Sequence, residues 1–347
     1  MLYGATGRTG TLIAEQAVAI GHRPLLAGRD AARLGPLADR LGLSWVAATP
    51  DDLQRVLGDS QLVLLAAGPF EATSAPVVEA CLRAGVHYLD IANEIGVLER
   101  VLGIRTERIT AMPAVGFGTV ASDGLARQVA DQVAGADRLD LAILLGTAGR
   151  SAGARASAMA ALAGGGRIRR GGRLKRTRLG YGARRLATPV GGRTVVPVPN
   201  GDLVTAYHTT GIPNITVSMT MPIPVAAARV LLPALPPLAR AGRRLRRSGG
   251  QTANGANAPG GRSSGSPAAA SDQAARESYV WARATAPDGR AAEGWLRTGE
   301  GYAYTARSAV STVEAVLANG PLGATTVAAA FGPRIALSAG GELLATA

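Results

Sequence analysis

Cysteine is almost absent from this chain, and its scarcity narrows the chemistry that the protein can use. Among 347 residues, Cys81 is the single cysteine. One cysteine excludes an internal disulfide framework and a cysteine-based zinc site, and it is typical of proteins from a reducing compartment. No secretory signal peptide fits before the glycine-rich stretch that begins at Gly4, so we expect a cytoplasmic protein.

A long uninterrupted apolar run is also lacking, although apolar residues make up 47% of the chain and suffice for a sizeable core. The best candidate for a membrane span, residues 221–238, contains five prolines and Arg229. Proline breaks helices, and a span needs about 20 apolar residues in a row. We therefore predict no membrane span and interpret this stretch as a pair of broken, buried segments.

Acidic residues are scarce in the second half of the chain. Residues 1–150 carry 13 arginines against 16 acidic residues, whereas residues 151–347 carry 24 basic residues against 8 acidic ones. This asymmetry favours an acidic partner, such as nucleic acid, an anionic surface, a phosphorylated substrate or an acidic carrier protein; an arginine-rich composition alone explains it equally well. Aromatic residues, 4% of the chain, do not interleave with the basic runs, which weakens the case for nucleic acid.

The first hundred residues alternate short apolar runs with stretches of helical periodicity. The predicted strands are residues 1–3, 24–27, 45–47, 62–67 and 86–89, and the predicted helices are residues 9–20, 31–41, 53–57 and 75–84. This alternation predicts an α/β fold with a doubly wound parallel sheet of the Rossmann type, which we assign to residues 1–118.

A second, β-rich α+β domain is predicted over residues 119–301, as the site of substrate binding or of homodimer formation. It should begin with a helix over 122–133, and residues 193–221 carry strong strand signals. We predict a small-residue helix over 152–163. A disordered loop is predicted over 248–275, because that segment contains no Val, Ile, Leu, Met or aromatic residue. Two strands, 278–285 and 291–298, precede a helix over 304–318.

Glycines at three-residue spacing stand between the first predicted strand and the first predicted helix, in the stretch LYGATGRTG. Gly4 permits a tight turn, Gly7 lets the backbone approach a pyrophosphate, and Gly10 lets the helix pack close to the sheet. The helix N-terminus adds free N–H groups and its dipole. We therefore predict a dinucleotide site formed by Gly4, Ala5, Thr6, Gly7, Arg8, Thr9 and Gly10.

The end of the second predicted strand indicates which dinucleotide binds. An NAD site usually places an acidic residue there to bind the ribose hydroxyls, whereas arginine suits the 2′-phosphate of NADP(H). Gly28 and Arg29 stand at that edge with Asp30 beyond them, and Arg8 is near enough to reach the same phosphate. We predict NADP(H) as the cofactor; a solvated charge at a helix start is the alternative for Arg29.

Several motifs together resemble the saccharopine dehydrogenase-like oxidoreductases, a family that includes the trans-acting enoyl reductases. They are YGATGRTG, LAGRD, AAGPF, PVVEACLRAGVHYLDIANE, VGFGTVASD and GDLVTAYHTTGIPNI. The resemblance implies an NADP-dependent oxidoreductase in which the end of the chain, residues 302–347, completes the nucleotide domain. It also implies that the backbone of Ala67, Gly68, Pro69 and Phe70 passes beside the nicotinamide.

A reductase usually needs a proton donor, and Tyr207 and His208 are the candidates. They lie in a segment with strand signals, close to Asp202, the one acidic residue between Leu141 and Ser271. In a strand these neighbours would face opposite ways, so only one could face the cofactor. The alternative that the sequence leaves open is that Tyr207 only packs against its neighbours and His208 is solvated.

Other polar residues are weaker candidates, and no metal site is predicted. Thr210 or Asn214 would orient a substrate oxygen, Tyr181 is a weaker proton donor, and Asn93 and Glu94 either line the cleft or cap a helix. Lys175, the single lysine, lies in a basic run and lacks the buried setting that a Schiff-base lysine needs.

The leading expectation is an NADPH-dependent reductase of an activated C=C, C=O or C=N bond. The substrate is expected to be a fairly hydrophobic small molecule, bound between the two domains and brought there by an acidic carrier protein or as a phosphorylated thioester. Three alternatives stay open: a saccharopine-type amino-acid dehydrogenase, a non-catalytic NADPH-sensing protein that binds partners through its basic domain and, third, a nucleic-acid-binding role.

Overall fold

The computed structural model describes residues 1–146, 162, 164–237 and 276–344. The predicted loop over 248–275 lies outside these residues, and so does the predicted helix over 152–163 apart from residue 162. The described residues form a parallel Rossmann-type sheet and a second, mixed sheet. This architecture confirms the predicted fold class.

The first sheet has seven strands, all paired in parallel. They are β1 (Leu2–Tyr3), β2 (Leu26–Gly28), β3 (Trp45–Ala47), β4 (Leu62–Leu65), β5 (His87–Asp90), β6 (Thr110–Met112) and β15 (Gly323–Ala324). Their order across the sheet is β15-β6-β5-β4-β1-β2-β3. In such a sheet, ligands bind outside the carboxyl ends of the strands, where the strand order reverses.

Helices join these strands, and the sequence periodicity predicts the first four of them. They are α1 (Arg8–Ala19), α2 (Ala31–Leu41), α3 (Leu53–Val56), α4 (Phe70–Ala84) and α5 (Ile95–Leu102). Helix α4 begins at Phe70 rather than at residue 75, and Pro76 lies inside it. Proline is disfavoured in a helix interior, so local propensity does not favour a helix that runs through Pro76.

The second sheet has nine strands. They are β7 (Arg138–Leu144), β8 (Gly166–Arg170), β9 (Arg173–Thr177), β10 (Arg184–Leu186), β11 (Arg193–Pro197), β12 (Asn214–Met221), β13 (Ser278–Thr285), β14 (Ala291–Gly299) and β16 (Glu342–Leu344). Strands β7 and β12 pair in parallel, and the other pairs are antiparallel. Helix α6 (Phe117–Asp131) packs across β13 and β14.

The segment around Tyr207 and His208 is a helix, α7 (Asp202–Thr210), so the predicted strand is wrong there. Its β-branched residues favour a strand locally, but tertiary packing overrides such propensities. The helix packs against α6 and buries most of its residues, from Asp202 to Ala206 and Thr209. It ends at Gly211, which adopts the left-handed conformation typical of a helix C-terminus.

The apolar stretch over 221–238 is broken, as its prolines predict. Met221 ends β12, and helix α8 (Val225–Leu231) and a 3₁₀ turn (Leu232–Ala234) follow. The prediction that these segments are buried is wrong for Val230 and Leu231, which are 70% and 61% exposed. Within the described residues, no helix has the length and apolar character needed to cross a membrane.

The end of the chain contributes to both sheets. Helix α9 (Gly301–Asn319) packs against α1, and β15 extends the first sheet beside β6. Helices α10 (Val327–Phe331) and α11 (Ile335–Ser338) follow, after which β16 pairs with β14 in the second sheet. The domain boundaries assigned from sequence at residues 118 and 301 stay a prediction.

Candidate functional site

The glycine-rich turn between β1 and α1 has no room for side chains at two of its glycines. A Cβ atom at Gly4, where φ is +91°, would lie 2.6 Å from the backbone nitrogen of Ala67, and one at Gly10 would lie 2.2 Å from the carbonyl oxygen of Gly4. Gly7 precedes α1, and no side chain caps that helix start. The first turn of α1 is uncapped, and the glycines beside it carry no side chains. This combination suits a phosphate group.

The loop after β4 runs directly over this turn. The Ala67 backbone contacts the position that a Cβ of Gly4 would take, and the Thr73 hydroxyl donates to the Ala67 carbonyl over 2.6 Å. Phe70 begins α4. The structure therefore places Ala67 against the glycine turn, and Gly68, Pro69 and Phe70 follow it along the chain; their contact with a cofactor stays a prediction.

At the end of β2, the Arg29 side chain is exposed, whereas the Asp30 side chain caps helix α2. The Asp30 carboxylate accepts a hydrogen bond from the backbone N–H of Arg33 and so begins α2. The Arg33 guanidinium donates to the carbonyl of Thr6 in the glycine turn over 2.8 Å. Sequence reasoning missed Arg33, because a contact to a backbone carbonyl leaves no mark in the residue pattern.

A pocket of about 140 Å³ opens at the carboxyl edge of the first sheet, next to the glycine turn. Its walls come from Thr9, from the turns after β5 and β6, and from the start of α9. The lining residues are Thr9, Ile91, Ala92, Asn93, Ala114, Gly116, Phe117, Gly118, Thr119, Tyr302 and Thr305. None of the eleven carries a formal charge, so the pocket suits an uncharged group.

Asp90, which ends β5, fixes the two turns that form this pocket. Its Oδ1 accepts hydrogen bonds from the backbone N–H groups of Ala92 and Ala114, each over 2.9 Å, and its Oδ2 accepts one from the Tyr88 hydroxyl over 2.7 Å. Ala114 has a positive φ of 61°, a conformation that L residues rarely adopt. Burial raises the pKa of Asp90 to about 6.

Asn93 projects into the same pocket with its amide oriented by the second domain. Its Oδ1 accepts a hydrogen bond from the backbone N–H of Gly201 over 3.2 Å. A Cβ at Gly201 would lie 2.5 Å from that oxygen, so the contact needs glycine. With Oδ1 occupied, the Nδ2 group is the part of the amide left to donate to a ligand. Asn93 therefore lines the cleft, which is one of the two alternatives that the sequence left open.

Glu94 precedes α5, but its side chain does not cap that helix. Its Oε2 accepts a hydrogen bond from the backbone N–H of Asn93 over 2.9 Å. Across the pocket, the guanidinium of Arg8 lies 4.1 Å from the ring centre of Tyr302, at the start of α9. This cation–π contact connects the glycine turn to the C-terminal part of the chain.

Tyr207 and His208 do not line this pocket. Both lie on the exposed side of α7, where Tyr207 is 36% exposed and stacks under the guanidinium of Arg169 at 4.1 Å. Thr210 donates to the Ala206 carbonyl and Asn214 donates to the Asp137 carbonyl, so both side chains make local structural bonds. The structure does not bring these four residues to the pocket, and their catalytic roles stay untested predictions.

The remaining polar candidates are also remote from the pocket. Tyr181 is 65% exposed, and Lys175 is an exposed residue of β9. A larger pocket, of about 630 Å³, lies between α1 and α9 at the amino ends of β1 and β4. Because that edge is opposite to the one where ligands bind in such sheets, we do not assign it to the cofactor. No group of His, Cys, Asp and Glu side chains in the described part of the chain could bind a metal ion.

The glycine turn, the carboxyl-edge pocket and the strand order together define an NAD(P)-binding protein with a Rossmann domain and a second mixed-sheet domain. In sequence, residues 4–144 match the NAD(P)H-binding family. In fold, the protein is similar to the L-Glu-forming saccharopine dehydrogenase of Saccharomyces cerevisiae, with a TM-score of 0.63, 12% identity and 99% of each chain covered. Residues 4–144 therefore carry an NAD(P)H-binding domain, and the fold of the chain is similar to that of saccharopine dehydrogenase, in agreement with the resemblance seen in its motifs.

Curated relatives with similar sequences are trans-acting enoyl reductases. The one from Mycobacterium leprae is 33% identical over 139 residues, which make up 35% of this chain and 33% of that protein. The one from Mycobacterium tuberculosis is 36% identical over 105 residues, or 27% of this chain and 25% of that protein. The similarity thus spans about a third or less of the length of these relatives.

Proposed function

We propose that this protein is an NADPH-dependent reductase of an activated double bond, with C=C conjugated to a thioester carbonyl as the favoured substrate. The observation that carries the proposal is the uncharged pocket at the carboxyl edge of the first sheet, which adjoins the glycine turn through Thr9. The names of the enoyl reductase relatives support the choice of bond. Bound NADPH would supply the hydride for the reduction.

The residues of this chain fit the dinucleotide in three places. The glycine turn and the uncapped start of α1 would bind the pyrophosphate. Arg29, exposed at the end of β2, would bind the 2′-phosphate. The pocket would take the nicotinamide, with the Asn93 amide as a hydrogen-bond donor to a carbonyl oxygen.

NADPH is favoured over NADH because the acidic residue at the end of β2 is already engaged. Asp30 accepts the backbone N–H of Arg33 as a helix cap, whereas an NAD site uses such a carboxylate to bind the ribose. Arg29 and Arg33 also make this edge positively charged. A carboxylate-rich amino-acid conjugate, as in a saccharopine-type reaction, is disfavoured because none of the described residues that line the pocket is Arg or Lys.

We expect Arg29→Ala to lower NADPH affinity roughly 10- to 100-fold with little change for NADH, since a charged hydrogen bond contributes about 1.5–3 kcal/mol. Fluorescence titration of the protein with each nucleotide measures this. Arg40→Ala is the matched control, because Arg40 lies on α2 but pairs with Glu15. Equal losses for both nucleotides would show that this edge does not select the phosphate.

An acidic carrier protein is the proposed source of the substrate. Strand β9 pairs only with β8 among the described strands, and its residues Arg173, Lys175 and Arg176 are exposed. The turn of this hairpin contacts Tyr207 on α7 at Gly172, and α7 begins beside Asn93 at the pocket. Basic side chains also protect an edge strand from unwanted pairing, so the docking role needs its own test.

The double variant Arg173→Glu and Arg176→Glu should reduce kcat/KM about tenfold or more for a carrier-bound enoyl substrate at low salt, because it reverses the charge of the docking face. Turnover of a free thioester analogue should be unchanged. Raising the salt concentration should lower the wild-type rate with the carrier-bound substrate but not with the free thioester. Arg55→Glu, on α3, serves as the control. If all variants turn over both substrates at the wild-type rate, carrier docking at this face is wrong.

A further inference from the structure

The reduction proposed above needs a proton as well as a hydride, and few groups in the pocket at the carboxyl edge can give one. Among the described residues that line the pocket, four carry a hydroxyl group: Thr9, Thr119, Thr305 and Tyr302. A phenolic O–H is much more acidic than the O–H of threonine, and the amide of Asn93 is not an acid. Tyr302 is therefore the strongest acid in this lining.

The threonine hydroxyls are also unsuited by their positions. The Thr305 hydroxyl donates to the carbonyl of Gly301 over 2.8 Å and accepts the backbone N–H of Phe117 over 3.2 Å, so its proton is already engaged. The Thr119 hydroxyl oxygen is buried. Thr9 lies in the first turn of α1, at the proposed phosphate site. These positions leave Tyr302 as the candidate donor.

One face of helix α9 is fixed against the turn after β6. The Thr305 hydroxyl accepts the N–H of Phe117, and the Ser308 hydroxyl donates to the carbonyl of Val115 over 3.0 Å. Tyr302, Thr305 and Ser308 are three residues apart, so they lie on the same face of the helix. Helical side chains lean toward the N-terminus of their helix. The Tyr302 side chain therefore extends past the start of this face, along the edge of the pocket that it lines.

The glycine turn holds the Tyr302 ring from the other side. The guanidinium of Arg8, the first residue of α1, lies 4.1 Å from the centre of the ring. This cation–π contact places the ring between α9 and the nucleotide turn, next to Thr9. The first turn of α9 is itself fixed, because the Glu300 carboxylate accepts the backbone N–H of Ala303 over 2.7 Å. The ring is thus held at both ends beside the pocket.

The partial exposure of Tyr302 also suits a proton donor. An acid that gives up its proton in each turnover must regain one from solvent, and Tyr302 is half-buried. Tyr304, two residues further along α9, is fully buried, and its hydroxyl donates to the carbonyl of Ala336 over 2.9 Å. Of the seven tyrosines in the chain, Tyr302 is the one that lines this pocket.

We propose that Tyr302 is the catalytic acid that completes the reduction by protonating the α-carbon of the enoyl thioester. The inference rests on the proposed function. The hydride that NADPH supplies forms a C–H bond at the β-carbon, and the electron pair of the C=C bond moves to the α-carbon. That pair takes the phenolic proton as the O–H bond of Tyr302 breaks, and solvent reprotonates the phenolate.

The position of the Tyr302 hydroxyl can be tested without turnover, by acetylation with N-acetylimidazole followed by mass spectrometry of the peptides. Tyr302 should be acetylated in the free protein and protected by saturating NADP⁺. Tyr181, 65% exposed and remote from the pocket, should be acetylated in both states, and the buried Tyr304 in neither. Absence of acetylation at Tyr302 in the free protein, or equal acetylation in the nucleotide complex, would overturn the proposal.

The proton transfer is tested by NADPH oxidation with a series of α,β-unsaturated thioesters of N-acetylcysteamine. Tyr302→Phe should lower kcat about 10²- to 10⁴-fold, the usual contribution of general acid catalysis. Its NADPH affinity should be unchanged, because phenylalanine keeps the ring that stacks on Arg8. Tyr279→Phe is the matched control, since it removes a hydroxyl that is bonded to Glu277 in the second sheet.

The configuration of the product separates proton donation from a structural role. In D₂O the wild type should place a solvent deuteron at the α-carbon with a single configuration, whereas the residual product of Tyr302→Phe should contain both. Wild-type kcat in Tyr302→Phe, or a lowered kcat with a single configuration, would overturn the inference and leave the reductase function standing. Failure of the wild type to bind NADPH, or to oxidise it with any of the thioesters, would instead overturn the reductase function, and the inference with it.

Discussion

Replacing Gly7 with alanine is expected to weaken NADPH binding roughly 10- to 100-fold while the fold stays intact. A Cβ at Gly7 would lie 3.4 Å from the Gly4 carbonyl oxygen, an ordinary contact, and the backbone there has a φ of −75° that alanine adopts easily. The new methyl group would stand at the uncapped start of α1, where a pyrophosphate would approach. Displacing the phosphates from one or two backbone N–H groups removes about 1.5–3 kcal/mol.

Two other glycines make this experiment specific. Gly10→Ala would place its Cβ 2.2 Å from the Gly4 carbonyl, so that variant should lose stability as well as binding. Gly35→Ala, inside α2, would place its Cβ 3.7 Å from Trp45 and should be neutral or slightly stabilising, because alanine favours helices. Thermal unfolding separates the effects, and nucleotide titration measures the binding. Wild-type NADPH affinity in Gly7→Ala would show that phosphates do not bind at this turn.

Local signals in the sequence were sufficient for the nucleotide domain. The alternating periodicities predicted β1 to β5 and the helices between them, and glycine spacing predicted a turn whose close contacts the structure displays at Gly4 and Gly10. Both signals depend on neighbours within a few residues. The matching NAD(P)H-binding family and the shared fold confirm this part of the interpretation.

Contacts between distant parts of the chain account for what the sequence did not reveal. Helix α7 carries strand-like residues, and its helical form depends on α6, about 80 residues away, through the pairs Ser122–Asp202 and Thr209–Asp123. The role of Asn93 depends on Gly201, 108 residues further along the chain. No periodicity encodes such pairs, so the pocket became visible only with the structure.

In the sequence, Asp90 is marked only as an acidic residue at the end of the apolar strand β5. Its removal should have the largest effect on the free energy of unfolding. Asp90→Ala would leave three buried donors without an acceptor: the N–H groups of Ala92 and Ala114 and the Tyr88 hydroxyl. Each unsatisfied donor costs about 1–3 kcal/mol, so we expect the free energy of unfolding to fall by about 3–5 kcal/mol. NADPH affinity should fall as well, because both turns line the pocket.

Asp90→Asn separates the hydrogen bonds of this residue from its charge. The Asn Oδ1 can accept from both backbone N–H groups, and the Tyr88 hydroxyl can accept from its Nδ2, so most of the stability should be retained. Burial raises the pKa of Asp90 to about 6, above its unfolded value near 4. The wild-type protein therefore loses stability as pH rises from about 4 to 6, and Asp90→Asn should lack that part of the loss. Urea unfolding between pH 4 and pH 8, with the exposed Asp39→Ala as control, measures both effects. A stability loss in Asp90→Asn as large as in Asp90→Ala would show that the charge, rather than the hydrogen bonds, supports the two turns.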